Sequence, residues 1–483
     1  MRGRCGARWL TIVMSVCLLI GLMGGAASAN SAQAKWQGSS VPGVVVTDTE
    51  CPIEVVKEVL TFELEEFPES YYSNKKSYLD YAGKVTAAYT FYNPADYAVT
   101  ATLLFPFGNE PDYACVFDRE TEEEFQNVDT EKYGITVNGD LIEKTLRYTY
   151  GSQDMAFLLE RDLKLLQDEK AEDAFYKTDL QVTKYSYRFE NINVGEGKRS
   201  ADAECRVQSD VTGQKIYFER IDGLQREEDG AWRVNVWAVE GDTLDVYVLG
   251  KDLEKPFEWE FRQIGADRKE TTGTATLLGT ETMTFDSFAL SAWKASSGVS
   301  ETDWYNAVLS ILQRLHGNVL MPSDYFRAGG LDLSRNLMRW YEYEITLEPG
   351  EQIVNTVTAP IYPAIDSTYR PALYTYQYLL SPAKTWASFG DLEIRIETPF
   401  YLVHDSESGF VKTAAGYQLQ REGLPEGELT FSLSEAEEPM RSGLRGSAGG
   451  YILNQILQFW PLLVGGLIVM LCIGIGKEGR KES

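Results

Sequence analysis

Val85-Thr-Ala-Ala-Tyr-Thr-Phe-Tyr92, then Asn93-Pro94-Ala95-Asp96, then Tyr97-Ala-Val-Thr-Ala-Thr-Leu-Leu-Phe105 before Pro106, is the stretch that decides the fold. Val85, Ala87, Tyr89 and Phe91 share one parity, and Tyr97, Val99, Ala101, Leu103 and Phe105 repeat it. Successive side chains of a strand point to opposite faces, so apolar residues at every second position mark a strand with one face in a core. Asn-Pro-Ala-Asp is a turn, because Pro presets φ and Asn and Asp bond their own backbone. The reading is a hairpin. A second hairpin is Ile135-Thr-Val137, Asn138-Gly139, Asp140-Leu-Ile142, where Asn-Gly supplies the positive φ that a type I′ turn demands.

Outward from this centre the chain divides into a flexible leader at 30–48, an N-terminal antiparallel β unit at 49–150 and a helical insertion at 151–180. The last rests on the apolar spacing from Met155 to Phe175. A middle β domain at 181–298 follows, with strands at Tyr185–Phe189, Lys215–Phe218, Trp232–Val239, Leu244–Leu249 and Phe257–Phe261. The turn Glu240-Gly241-Asp242-Thr243 joins the third and fourth of these as a hairpin. An amphipathic helix spans 299–317, where Ser300 to Asp303 resembles a capping box and Trp304, Val308, Ile311, Leu312 and Leu315 recur at helical spacing. A C-terminal β unit at 330–436 contains Tyr341-x-Tyr343-x-Ile345-x-Leu347 running into Glu348-Pro349-Gly350-Glu351, then strands at Tyr374–Leu380, Leu392–Thr398, Gly416–Gln420 and Leu429–Leu433. The fold class is mainly β: two or three antiparallel β-sandwich units with two helical insertions, plus a C-terminal transmembrane helix.

The stretch from Lys84 to Gly108 resembles the opening of VIT-like domains, named from vault protein and inter-alpha-trypsin inhibitor. It is equally similar to the opening of bacterial secreted proteins without an assigned activity, which share a late stretch like Tyr378-Leu-Leu-Ser-Pro-Ala-Lys-Thr-Trp386-Ala-Ser-Phe-Gly390. These stretches cover under a tenth of the chain and contain framework residues only. The resemblance implies a β-sandwich and a secreted or membrane-anchored bacterial family, and no activity.

The two ends are apolar. Arg2, Arg4 and Arg8 precede an apolar run from Leu10 to Met23, and Ala27-Ser28-Ala29 offers a small-x-small cleavage site, so 1–29 reads as a signal peptide. At the other end, a stalk at 437–450 leads to a run of about twenty apolar residues, enough for a helix to cross the hydrocarbon core. The span at 451–476 and a basic tail at 477–483 with Lys477, Arg480 and Lys481 give a single-pass cell-membrane protein, N-terminus outside and C-terminus cytoplasmic. The membrane is thus one partner, through the C-terminal helix.

The ends hold six of the 45 Lys and Arg and two of the 72 Asp and Glu, which leaves an ectodomain charge of about −31. Such a surface repels polyanions, so nucleic acid is excluded as a partner. Cys51, Cys115 and Cys205 lie outside the signal and the span. Cys51 and Cys115 flank one β unit and could pair in an oxidising compartment.

The residues of common catalytic centres are scarce. The histidines are His316, at a helix C-terminus, and His404, before the turn Asp405-Ser406-Glu407-Ser408-Gly409, and neither belongs to a ligand or triad motif. That turn departs from EF-hand spacing. Tyr374, Tyr376, Tyr378 and Trp386 would suit either a ligand platform or a core face, and the core reading is preferred. No catalytic, cofactor-binding or metal residue is assigned, and no cofactor. The functional expectation is a binding, adhesion or scaffolding module with an extracellular protein or glycan ligand. The alternatives are an envelope hydrolase acting on glycan or peptide through paired carboxylates, or an accessory subunit of an envelope complex.

Overall fold

The computed structural model describes residues 27–29, 31–38, 51–68, 83–108, 116–117, 124–125, 133–150, 163–194, 198–208, 212–264, 268–295, 298–314, 318–320 and 337–441. Residues 1–26, Cys115, His316, most of the stalk, the span 451–476 and the tail 477–483 lie outside them. The described chain is mainly β, with several sheets and a few helices. No helix among the described residues is long and apolar enough to cross a membrane.

The opening stretch forms its two strands as expected, Gly83–Tyr92 and Val99–Gly108. Val85, Ala87, Tyr89, Phe91, Val99, Ala101, Leu103 and Phe105 are all fully buried. The strands do not pair with each other, however. Gly83–Tyr92 lies between Glu54–Glu63 and Gln352–Ile361 in an eight-stranded sheet, whereas Val99–Gly108 lies between Ala32–Gly38 and Leu337–Leu347 in a four-stranded one. The turn is therefore an arch from sheet to sheet, and the hairpin reading is corrected. Alternation fixes which face is buried and says nothing about which strand lies alongside.

Leu337–Leu347 and Gln352–Ile361 form a second arch across the same two sheets. Asn93 clips the two arches together. Its Nδ2 donates to the carbonyls of Tyr97 (2.8 Å), Leu347 (3.1 Å) and Glu348 (3.2 Å), and its Oδ1 accepts from the Ala95 N–H (3.0 Å). Its backbone N–H donates to Glu351 O, and Gly350 N–H donates to Asn93 O. Gly350 sits at φ +68°, which its turn needs and a side chain would resist.

This pairing corrects the division into separate units at 49–150 and 330–436. Residues of 51–107, 133–135 and 341–433 belong to one hydrophobic cluster, which draws on the two arched sheets and on the sheet containing Leu373–Leu379 and Leu429–Ser434. The middle segment is an insertion into this unit. The chain leaves at Tyr150 and returns at Leu337, and these two residues are cross-strand partners in the antiparallel pair Thr145–Tyr150 with Leu337–Leu347.

The leader is corrected as well. Ala32–Gly38 is a strand at the edge of the four-stranded sheet, where a polar sequence is tolerated because only one side must pair. Ser31 anchors it from within the core. Its N–H donates to Tyr89 Oη (2.9 Å), its Oγ lies 2.8 Å from Tyr343 Oη, and its carbonyl accepts from Trp386 Nε1 (3.0 Å). Ala27–Ala29, the small-x-small tripeptide, runs parallel to Gln377–Leu379.

The inserted unit has two five-stranded sheets that both contribute to a second core of Tyr187, Phe189, Cys205, Val234, Val236, Val246 and their neighbours. Trp232–Ala238 and Thr243–Gly250 fall in different sheets, so the turn at Gly241 is another arch. Asn138 and Gly139, at φ 53° and 91°, do close a true hairpin between Ile135–Val137 and Asp140–Ile142. Cys51 and Cys205 are buried and form no disulfide among the described residues, Cys115 lying outside them, and burial pushes the Cys51 thiol up to about 11.

The helix Glu301–Arg314 starts as expected, with Ser300 Oγ accepting from the Asp303 N–H (3.0 Å). It has no solvent stripe, since Asp303 through Leu312 are all buried. It lies against Val182, Tyr217 and Leu249 of the insertion and Tyr150 and Leu337 of the main unit. Its polar residues hold partners: Asn306 Nδ2 donates to Leu165 O, and Asn306 Oδ1 accepts from Ala171 N–H. Those bonds explain why the helix expected across Met155–Phe175 is limited, among described residues, to 163–165. Backbone groups of 165–171 bond to Asn306 in place of one another.

One ion network in the main unit gives a pH prediction. Glu393 is 4% exposed and accepts from Lys57 Nζ (2.8 Å), Arg395 Nε (2.7 Å) and Gln418 Nε2 (2.9 Å). Lys57 holds its carboxyl below the usual range, with Arg395 adding to the effect against burial. A carboxylate lowered on folding stabilises above its unfolded pKa of about 4.3 and ceases to as pH falls through its folded value. Urea midpoints of the protein and of Glu393→Gln should therefore differ at pH 7, and the difference should shrink as the pH falls below about 4.3. A difference that does not shrink between pH 7 and pH 2 would show that the charge is not what Glu393 contributes.

Candidate functional site

The strand Ala201–Val207 turns Ala203, Cys205 and Val207 into the second core and Asp202, Glu204 and Arg206 to the opposite face of its sheet. Register places the neighbours on that face. Trp237 lies opposite Asp202, Asn235 opposite Glu204 and Arg233 opposite Arg206, while Arg262 and Glu260 flank from the other side. Two arginines directly opposite would repel. Here Glu227 lies between them, accepting from Arg206 Nε (2.8 Å) and Arg233 Nε (2.9 Å). Those two hydrogen bonds hold the Glu227 carboxyl below the usual range.

Glu204 is only 3% exposed because guanidinium groups roof it. Arg233 (3.3 Å), Arg262 (2.9 Å) and Arg268 all donate to it. Asp202, 8% exposed, accepts from Arg268 (3.1 Å) through Oδ2, and Oδ1 has no hydrogen bond among the described residues. Burial pushes the Asp202 carboxyl up; Arg268 opposes this, and Glu204 and Asp222 add to it. Arg268 reaches both carboxylates from a backbone at φ 39°, a left-handed conformation unusual for Arg. Such strain persists only where surrounding contacts hold it, and it concentrates at working sites.

At the edge of this charged array stands Trp237, 57% exposed. Its backbone N–H donates to Asp222 Oδ2 (2.5 Å), which pins the strand beneath it. Asn235, two residues earlier on the same face, lies over Gly223: a Cβ at 223 would fall 2.0 Å from Asn235 Oδ1. The Asn235 side chain makes no hydrogen bond among the described residues. An indole plate, an amide, a carboxylate oxygen and a guanidinium thus share one face of the sheet, the carboxylate bonded to the guanidinium and the indole's strand pinned by Asp222.

The residues singled out in the sequence lie elsewhere. Tyr376 and Tyr378 are fully buried, Trp386 is 6% exposed, and Tyr374 stacks on Phe67 at 3.7 Å, so these aromatics pack the first core. His404 is exposed on the strand Tyr401–Asp405. The turn after it is held by Ser406 N–H to Thr430 O and by Glu407 with Arg421 (2.6 Å). Among the described residues no group of three or more His, Cys, Asp or Glu has the geometry to hold a metal ion. Glu58 is fully buried in the first core, near enough to Tyr89 and Tyr378 to push both hydroxyls up, burial being the larger cause. Trp237 was not singled out, yet it carried a signal: it falls on the parity of Arg233 and Asn235, the polar side of its strand.

No protein-family model matches the chain, and no curated protein is similar to it. Among solved structures, one that matches weakly is a candidate nutrient-binding protein of Legionella pneumophila. It is 9% identical, with a TM-score of 0.33 over 85% of this chain and 71% of that one. A likeness of that size carries no argument about function.

Proposed function

We propose that the chain is a single-pass, membrane-anchored bacterial surface protein that works by binding, and that the face around Trp237 is where it binds. The signal sequence at 1–29 and the span at 451–476 put the ectodomain outside the cell and the C-terminus in the cytoplasm. The stacked sheets act as β-sandwich units of the VIT-like kind implied by the Lys84–Gly108 stretch, with the stalk giving reach. The observation that supports this reading is a large aromatic left 57% exposed on a face of polar side chains. Exposed aromatics in a polar setting are typical of contact surfaces.

The second reading, an accessory subunit of an envelope complex, is favoured by one observation. Thr274–Thr284 is an eleven-residue edge strand, largely exposed and without Lys or Pro. Such an edge can accept a strand from a partner.

The test is a Val239→Cys variant of the full chain, a position two residues from Trp237 and 41% exposed, treated in intact cells with a membrane-impermeant maleimide, with the unsubstituted protein as background. Labelling in intact cells, reduced by added envelope material, is the expected result. Labelling only after permeabilisation would overturn the surface reading, and labelling that no envelope fraction reduces would overturn the binding one.

A further inference from the structure

We infer that the face around Trp237 takes a neutral, β-linked polysaccharide chain. The inference rests on the binding reading above and gives its ligand a chemical class. A pyranose with equatorial substituents presents two apolar C–H faces ringed by hydroxyls. The ring face needs a flat, exposed aromatic, and the rim needs donors and acceptors beside it. Trp237 supplies the plate. The rim groups are Asn235, whose amide both donates and accepts, the open Asp202 Oδ1, and Arg268, which is 42% exposed at its side chain.

Two of these groups are held before a ligand arrives: Arg268 bonds Asp202 from its strained backbone, and Asp222 fixes the strand of Trp237, while Gly223 leaves room for the Asn235 amide. Pre-fixed groups reduce the ordering cost of binding. Charge narrows the class further. The guanidinium groups of Arg206, Arg233 and Arg262 are already bonded to carboxylates on the same face, and the ectodomain carries about −31. Polyanions are repelled, so a neutral chain is selected. A peptide partner would want a broader apolar patch than one indole.

The experiment titrates the full chain in detergent with cellohexaose and chitohexaose, with polygalacturonate as the anionic control, following calorimetry and tryptophan emission. Binding of at least one neutral hexamer is expected. Trp237→Ala should weaken it tenfold or more, and Trp237→Phe should retain most of it. Gly223→Ala, which displaces Asn235, should weaken it several-fold, with an unchanged circular-dichroism melt showing an intact fold. The inference is overturned if neither neutral hexamer binds, if Trp237→Ala binds as well as the parent, or if polygalacturonate binds in their place. If both hexamers fail while a protein fraction of the envelope shields the Val239→Cys site from maleimide, the carbohydrate assignment falls and the binding reading stands.

Discussion

Replacing Asn93 with Ala is expected to lower the unfolding free energy by about 3 kcal/mol, since it leaves several enclosed polar groups without partners at about 1–3 kcal/mol each. Asn93 is fully buried, and its amide serves three carbonyls on two arches and one N–H within its own. In Asn93→Ala the Leu347 carbonyl loses a donor inside the protein, and no water replaces it without opening the arch. Asn93→Asp separates this account from simple loss of volume. It keeps the acceptor for Ala95 but turns a second oxygen toward the three carbonyls, so it should destabilise at least as much as Ala despite its near-identical shape. Urea melts of the full chain in detergent, followed by tryptophan emission, read both. An Asp variant close to the parent would show that the donor contacts are not what holds the arches together.

The same residue marks how far the sequence could be read. Asn93-Pro94-Ala95-Asp96 is legible as a turn, and the strands on either side are legible from parity. Whether those strands pair is not, because a hairpin and an arch bury the same alternate residues. Only the two-residue Asn138-Gly139 turn was decisive, since its φ values suit the twist of paired strands. At Gly241 the longer connection allowed a crossing, as at Asn93. Once the arches are mistaken for hairpins, the β units at the two ends look like separate domains. The bonds that unite them join residues some 250 positions apart, as Asn93 to Leu347 does, and leave no local trace.

The helix readings differed for a related reason. Ser300 and Asp303 form a local cap, which sequence exposes. Asn306 makes its bonds to Leu165 and Ala171, distant in the chain, and the described residues 166–175 are not helical there. The candidate face was half legible. Trp237 on the polar parity of Trp232–Ala238 is visible in the sequence, whereas the roof of arginines over Glu204 depends on strands brought together by the fold.

The second large effect is expected at the joint between the insertion and the main unit. Arg147, on the strand Thr145–Tyr150, donates from Nε (3.1 Å) and Nη2 (3.0 Å) to Asp303 on the helix Glu301–Arg314, and from Nη1 (2.6 Å) to Glu342. Burial pulls its pKa down, but Asp303 and Glu342 more than offset this and hold the guanidinium charged. Asp303 also accepts from Tyr148 N–H (3.0 Å). Arg147→Met keeps the length of the side chain and leaves Asp303 as an enclosed carboxylate without its cation, which should cost about 3–5 kcal/mol. Asp303→Asn alone should cost less, because it leaves no uncompensated anion and Glu342 still faces Arg147. In the double variant Arg147→Met, Asp303→Leu both charges are gone, and apolar groups can fill an enclosed site as well as an ion pair does. That variant should recover a substantial part of the loss of Arg147→Met. If it is as unstable as the sum of its parts, the pair does not act as a unit. Recovery would show that the helix is docked by shape and burial, with the ion pair setting which strand end it meets. That distinction matters at Tyr150 and Leu337, where the insertion leaves and rejoins the main unit and the helix packs against both residues.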